Sequence, residues 1–201
     1  MSPSEFTTDE LSLFLISLLQ RDGRKSFVDL AKEIGVSSHN TVRKRLDELH
    51  KENKLRIVAE TNANKMGLEI LLILFSTFTD EDHSKLIDLY SVCPRVFRVG
   101  SLIGNYDVFI FAYAENRAVL ESMTRGHCFY GDQIQVRDRL VLILGEETYP
   151  PFYPLEFPIV QESDESPCKV SCIDCGYFQK DICAGCPSTT HYKGPLAIRK
   201  K

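Results

Sequence analysis

The residues of this chain best suited to chemistry are its cysteines, because most of them lie close together in one segment. Of the seven in 201 residues, Cys93 and Cys128 stand alone, and the others crowd near the C-terminus. The crowded residues are Cys168, Cys172, Cys175, Cys183 and Cys186. No signal peptide is recognisable, so a disulfide framework, which needs an oxidising compartment, is not expected. The clustering therefore favours metal binding.

Two Cys-x-x-Cys pairs separated by seven residues could direct four thiolates at one tetrahedral ion. This favours Zn²⁺ held by Cys172, Cys175, Cys183 and Cys186. Cys168 is an alternative ligand, because Cys168, Cys172 and Cys175 have the Cys-x3-Cys-x2-Cys spacing that binds the iron-sulfur cluster of radical SAM enzymes. The chain has no room for the barrel of those enzymes. An iron-sulfur cluster is thus the alternative cofactor, and a metal-free redox pair is the plainer interpretation. His191 could substitute as a ligand but is more typical of a surface residue.

The segment around these thiols has little apolar content, so a metal would have to supply its folding free energy. Before it, residues 150–158 mix prolines with Phe152, Tyr153 and Phe157. Such a stiff segment cannot continue a sheet but could pack its aromatic rings along one. An acidic linker at residues 161–166 follows.

The N-terminal third has the pattern of three short helices. The first helix is predicted with Thr8 as its cap and its end at Asp22 and Gly23. Its apolar residues at helical spacing are Leu11, Phe14, Leu15, Leu18 and Leu19. Phe27, Leu30, Ala31 and Ile34 predict the second, between Ser26 and Gly35. A tight turn leads to a third, from about Ser38 to Glu52, and the order predicts a helix-turn-helix.

The third helix is the candidate recognition helix for DNA. It would bury Val42, Leu46 and Leu49, with Asp47 among the residues pointing outward. Residues 36–56 contain six Lys or Arg against three acidic residues, although the whole chain has a net charge of -4. Asn53 would cap the helix, and Lys54 to Glu60 alternates like the strand of a wing. The candidate DNA-binding residues are Ser37, Ser38, His39, Asn40, Thr41, Arg43, Lys44, Lys54 and Arg56. The plainer alternative is a solvated basic face.

The middle of the chain has the element order βαββαβ. Its predicted strands begin at Ile70, Val96, Asp107 and Ile134, and helices at Asp80 and Asn116 lie between them. This order predicts an antiparallel four-stranded sheet with both helices on one face. The other face would be apolar and need a partner, so we expect a sheet-to-sheet homodimer.

Two stretches resemble the Lrp/AsnC (feast/famine) regulators: LLQRDGRKSFVDLAKEIGVSS with TVRKRLDELHKENKLRIVAETNANKMG, and the turn GNYD at residues 104–107. The resemblance covers about residues 9–67 and 69–147. It implies a sequence-specific DNA-binding transcription regulator, assembled as a dimer, tetramer or octamer. It also implies a small effector such as an amino acid, with Gly104, Tyr106 and Asp107 as effector-site residues. Those same residues could simply shape the turn.

Several residues depart from the family pattern. One extra residue stands near His39, Asn53 replaces a usual glycine, and Ile103 precedes the effector turn. Siroheme decarboxylases resemble the same family and are the enzymatic alternative, with a tetrapyrrole in the α/β domain. That reading would nominate His83, His127, Arg137 and Arg139, which form no motif, so we expect no enzyme.

The predicted class is α+β, and the chain should be cytoplasmic, since no apolar run is long enough to span a bilayer. The predicted domains are a winged helix-turn-helix at 1–62, a ferredoxin-like βαββαβ effector and dimerisation domain at 63–149, a linker at 150–166, and a Cys-rich metal-binding extension at 167–201.

Overall fold

The computed structural model describes residues 9–125, 134–145, 150–157 and 163–196. The chain divides into two compact units, Met1–Ala59 and Glu60–Lys201, and the Cys-rich segment belongs to the second. In the part described, none of the helices has the length and apolar character needed to cross a membrane.

The first unit is a bundle of three helices: α1 (Glu10–Arg21), α2 (Phe27–Ile34) and α3 (His39–Lys51). Asp9 caps α1 by accepting from the Ser12 backbone N–H at 3.0 Å. The predicted cap, Thr8, lies outside the described residues. The predicted apolar positions form one core, with Leu15 and Leu30 fully buried. Phe14 and Phe27 are exceptions, being 45% and 44% exposed, because each lies at the edge of its apolar stripe.

Both ends of α2 have the residues that the sequence predicts there. Ser26 caps α2, and Gly35 adopts a left-handed φ of 80° that lets the Val36 N–H reach the Ala31 carbonyl. After α3, Asn53 takes a left-handed φ of 54°, a conformation that asparagine tolerates better than most residues. The asparagine thus takes the role expected of a glycine.

The predicted wing strand is wrong. Residues 55–60 have no regular secondary structure, no described segment forms a strand pair with them, and Ile57 and Val58 are 54% and 46% exposed. Alternating side chains alone do not make a strand, because its backbone groups need a partner strand to bond with. The basic residues Lys54 and Arg56 therefore lie on a linker and not on a hairpin.

The second unit contains the predicted βαββαβ order. It runs through β2 (Glu69–Thr77), α4 (Asp80–Ser91), β3 (Val96–Ser101), β4 (Val108–Ala114), α5 (Arg117–Arg125) and β5 (Val136–Ile143), after a short β1 (Thr61–Asn62). The four long strands form an antiparallel sheet in the order β3-β4-β2-β5. Helices α4 and α5 share a core with alternate residues of these strands, and Leu120 of α5 packs there with Leu71 and Ile110 of the sheet.

The opposite face of the sheet is partly covered by the chain itself. The short strand β6 (Phe152–Tyr153) pairs with β1, and Leu155 is buried against Ile70 and Tyr113. Tyr153 packs on Phe97 with ring centres 5.6 Å apart. Tyr153 and Phe157 of the proline-rich segment therefore pack on the sheet, as predicted, whereas Phe152 is 48% exposed.

The remainder of that face is open. Residues directly opposite on neighbouring strands share a face, and the register places Leu72 and Leu74 of β2 beside Leu142 and Leu140 of β5. Phe109 of β4 lies opposite Leu74. Leu140 and Leu142 are 38% and 41% exposed. An apolar surface thus remains for a partner.

Candidate functional site

The exposed side of α3 is the candidate DNA interface. Val42, Leu46 and Leu49 are buried, as predicted, and this orientation fixes which side chains point outward. The predicted DNA-binding residues are exposed except for Ser38, which is half-buried: Ser37, His39, Asn40, Thr41, Arg43, Lys44, Lys54 and Arg56. The Ser38 hydroxyl accepts from the Asn40 N–H at 3.2 Å and so fixes where the helix begins.

The basic residues of α3 differ in how they are engaged. Arg45 lies 3.1 Å from Glu48 and 3.6 Å from Asp9, so it ties α3 to the start of α1. Among the described residues, Arg43 and Lys44 have no ion-pair partner. Two adjacent, exposed and uncompensated cations are what attraction to DNA phosphates requires.

A second candidate site surrounds the turn between β3 and β4. Gly104 has a φ of 153°, which side chains rarely adopt. The Asp107 carboxylate accepts from the Thr77 hydroxyl at 2.7 Å and from the Thr77 backbone N–H at 3.0 Å. The carboxylate thus ties the end of this turn to the end of β2. Tyr106 donates to Asp138 at 3.1 Å, and this hydrogen bond raises the pKa of the phenol.

These predicted effector residues line one open cleft of about 600 Å³ together with Arg137. The Arg137 guanidinium stacks over the Phe78 ring with its central carbon 5.4 Å from the ring centre. A positive group beside an exposed backbone turn is suited to an anionic ligand. Arg137, which the sequence nominated only for the enzymatic alternative, therefore brings a positive charge to this cleft.

A third candidate site is a mainly apolar cavity with thiols in its wall. Four of the clustered cysteines line it, and so does Cys93, which the sequence left isolated: the full set is Cys93, Cys168, Cys172, Cys183 and Cys186. Arg95 and Met123 also line it, whereas Cys175 does not in the part of the chain that is described. Within the described ranges, no three His, Cys, Asp or Glu side chains already form a metal-binding group. The structure thus gathers the thiols without fixing a coordination geometry.

Burial sets the protonation of these thiols. It raises the pKa of Cys93 to about 11 and that of Cys186 to about 12, and it also raises the pKa of Cys172. Backbone N–H groups oppose the shift at each sulfur, from Arg95 to Cys93, from Cys186 to Cys172 and from Ser188 to Cys186. Near neutral pH, these thiols are protonated unless a cation compensates the charge.

A buried ion pair fastens the Cys-rich segment to the sheet domain. Arg95 and Glu115, whose side chains are 6% and 4% exposed, form an ion pair. Arg95 also donates to the Gly185 carbonyl at 2.7 Å, and the Tyr192 hydroxyl donates to Glu115. Burial opposes charge on Arg95, but Glu115 more than offsets it and holds the pKa of Arg95 above its usual range. Sequence reasoning missed this network, since nothing in the local pattern marks it.

Gly185, whose carbonyl accepts from Arg95, has little room for a side chain. Its φ is 88°, and an added Cβ would lie 2.9 Å from a Phe178 ring carbon. We expect Gly185→Ala to destabilise the protein by about 1–2 kcal/mol, because a left-handed alanine is strained and the ring must move. Thermal unfolding measures this. Gly176→Ala is the matched control, because nothing lies within 4 Å of its added Cβ; equal losses in both variants would contradict the strain argument.

The residues nominated for tetrapyrrole chemistry are scattered. His83 contacts the Ser101 hydroxyl at 3.0 Å, and Arg139 donates to the Thr124 carbonyl at 3.1 Å. Arg137 lies in the effector cleft, and His127 is outside the described residues. Neither the effector cleft nor the thiol-lined cavity is lined by two of these side chains.

Comparison with known proteins agrees with this geometry. The AsnC-type helix-turn-helix domain model matches residues 9–50. An uncharacterised HTH-type transcriptional regulator of Pyrococcus horikoshii is 28% identical over 123 residues, covering 58% of this chain and 77% of its own. A similar regulator of Pyrococcus furiosus is 27% identical over 114 residues, covering 56% and 76%.

Solved structures extend the likeness to the fold of both units. E. coli AsnC aligns with a TM-score of 0.58 at 16% identity, over 72% of this chain and 95% of its own. The leucine response regulatory protein of Mycobacterium tuberculosis aligns with 0.60 at 17%, over 74% and 100%. A Neisseria meningitidis transcriptional regulator solved with L-Met aligns with 0.58 at 17%, over 70% and 92%.

Proposed function

We infer that this chain is a DNA-binding transcription regulator of the Lrp/AsnC type. The observation that carries the inference is the AsnC-type helix-turn-helix match at residues 9–50, whose third helix exposes Arg43 and Lys44. The relatives are named as transcription regulators, and the candidate catalytic residues are scattered. The chain is therefore a regulator and not an enzyme.

In this proposal, α3 enters the major groove of DNA. A recognition helix contacts base edges mainly through its N-terminal residues, which here are Ser38 to Thr41. Arg43 and Lys44 lie about one turn further along and would bind phosphates or guanines. Lys54, already 2.8 Å from Glu52, would add a weaker contact from the linker.

The protein would bind as a homodimer through the open part of the sheet. Leu72, Leu74, Phe109, Leu140 and Leu142 supply its apolar surface. A two-fold dimer would present two α3 helices, so the preferred DNA should be nearly palindromic. Larger assemblies such as tetramers or octamers would be built from these dimers.

Fluorescence anisotropy with the DNA upstream of the protein's own coding sequence tests the inference. We expect tighter binding to this fragment than to a scrambled fragment, with affinity falling steeply as salt rises. Sedimentation of the free protein gives the oligomeric state. Equal affinity for both fragments at every salt concentration would exclude sequence-specific regulation through this site.

We further propose that the cleft at Gly104, Tyr106 and Asp107 binds a small carboxylate such as an amino acid. The Neisseria relative bound to L-Met supports this ligand class. Since Asp107 is engaged with Thr77, the ligand would be held by Arg137 and by backbone N–H groups of the turn.

Arg137→Ala is the corresponding test. A panel of amino acids should raise the melting temperature of the wild type, because a ligand that binds only the folded state stabilises it. The variant should lose this shift. Its free energy of unfolding without ligand should stay within about 0.5 kcal/mol of the wild-type value, as for other exposed residues. Arg98→Ala, which removes another exposed arginine of the sheet, should keep the shift. An undiminished shift in Arg137→Ala would rule out this role.

The Cys-rich segment is proposed to bind a metal through thiolates, as Zn²⁺ or as an iron-sulfur cluster. Its two Cys-x-x-Cys pairs and the buried thiols support this. The spacing favours Cys172, Cys175, Cys183 and Cys186 as ligands. Binding would draw the sulfurs together and release their protons. Purified protein that is brown and contains acid-labile sulfide would indicate a cluster, and colourless protein with stoichiometric zinc a single ion.

A further inference from the structure

We propose that Cys93 is a ligand of this metal centre in place of Cys175, so that the sheet domain and the C-terminal segment bind the metal jointly. The inference rests on the proposed metal site and changes which residues form it. The ligand chemistry is a thiophilic centre, a single Zn²⁺ or an iron-sulfur cluster.

The first argument is position. Cys93 follows α4 and precedes β3, yet its thiol lines the same cavity as Cys168, Cys172, Cys183 and Cys186. Five thiols line this cavity, and Cys175 is not among them. Proximity in the folded chain indicates a ligand set more strongly than spacing along the sequence does.

The second argument is the backbone around each sulfur. Cys93 and Cys186 are both followed by proline, and in each case the N–H two residues after the cysteine donates to its sulfur. Proline has no N–H and a fixed φ, so it favours a tight turn that presents the next N–H. Hydrogen bonds to sulfur stabilise the thiolate that a metal needs. Cys93 thus has the same local structure as a clustered cysteine.

The third argument is charge. Four thiolates around Zn²⁺ leave a net charge of about -2, which is costly to bury without a neighbouring cation. Arg95 lines the cavity, and its guanidinium interacts electrostatically with Cys183. Glu115 and the Gly185 carbonyl hold this guanidinium in place. The cavity therefore contains a fixed guanidinium beside the thiols, and its charge is shared between Glu115 and the sulfurs.

Cys175 is different. It begins helix α6 (Gly176–Gln179), and its backbone N–H donates to the Cys172 carbonyl at 3.1 Å. It does not line the cavity as described. The structure and the spacing therefore nominate different ligands, and the difference is measurable.

The experiment compares full-length wild type with Cys93→Ser and Cys175→Ser, each purified from cells supplied with zinc and iron. Metal and acid-labile sulfide per chain are measured before and after challenge with a chelator. We expect Cys93→Ser to hold the metal about 100-fold more weakly, since loss of a supporting residue alone costs 10–100-fold. Cys175→Ser should retain the metal as the wild type does.

A second measurement separates ligation from folding. Protein reconstituted with Co²⁺ absorbs in the near ultraviolet in proportion to the number of bound thiolates. Per bound ion, Cys93→Ser should lose about a quarter of this absorption, as expected for one ligand of four. A purely structural role for Cys93 would leave it unchanged.

The outcomes distinguish the two proposals. Wild type that contains no metal would overturn the metal site and this inference together, without touching DNA binding. Wild type with metal, and Cys93→Ser with the same affinity and absorption, would overturn only this inference. Metal loss in Cys175→Ser with retention in Cys93→Ser would restore the ligand set that the spacing favours.

Discussion

Replacing Arg43 and Lys44 with alanine together should weaken specific DNA binding by at least about 30-fold, because each DNA-reading cation is worth about 1–3 kcal/mol. The slope of log affinity against log salt should also become shallower, by about 0.9 for each phosphate contact removed. Both side chains are exposed on α3, so the fold should persist. Anisotropy on the upstream DNA across a salt series measures both quantities.

A charge-matched control makes the result specific. Lys85→Ala with Arg117→Ala removes the same charge from exposed positions on α4 and α5, where each side chain pairs with a glutamate one turn away. Such surface pairs contribute little to stability. We expect nearly normal DNA binding from this control. If it lost as much affinity as the α3 variant, net charge and not α3 would govern binding.

Glu115→Ala should strongly destabilise the second unit. It leaves Arg95 charged and buried without its partner, which typically costs about 3–5 kcal/mol. It also removes the acceptor of the Tyr192 hydroxyl. The melting temperature should fall on the order of 10 °C, as expected for a unit of this size.

The matched control is Glu121→Ala, which breaks the exposed pair with Arg117 and should cost less than about 0.5 kcal/mol. Calorimetry compares the two variants. Similar small losses in both would mean that the Arg95 and Glu115 pair contributes little, and that the Cys-rich segment is held by other contacts.

Local patterns predicted the parts of the structure that local physics determines. The cap at Ser26, the left-handed Gly35 and the buried stripe of α3 follow from spacing and residue type within a few positions. The sheet followed from apolar runs separated by amphipathic helices. The family resemblance added the turn at Gly104.

Features that depend on distant residues were not predictable in the same way. The wing failed because a strand needs a partner that no local pattern supplies. The contacts of Arg95 with Glu115 and Gly185 join residues 20 and 90 positions apart. Cys93 looked isolated for the same reason, since only the folded chain brings it beside the C-terminal thiols.

Residues 152–157 belong to the folded second unit, although they lie beyond the stretch that resembles the Lrp/AsnC regulators. Cutting the chain at residue 149, near the end of the resemblance, would take Leu155 and Phe157 off Tyr113. It would also deprive Glu115 of Tyr192. The shortened protein would expose aromatic rings and a half-satisfied buried charge, and it would be prone to aggregate. A minimal version for crystallisation or for fusion to another domain therefore has to keep the tail.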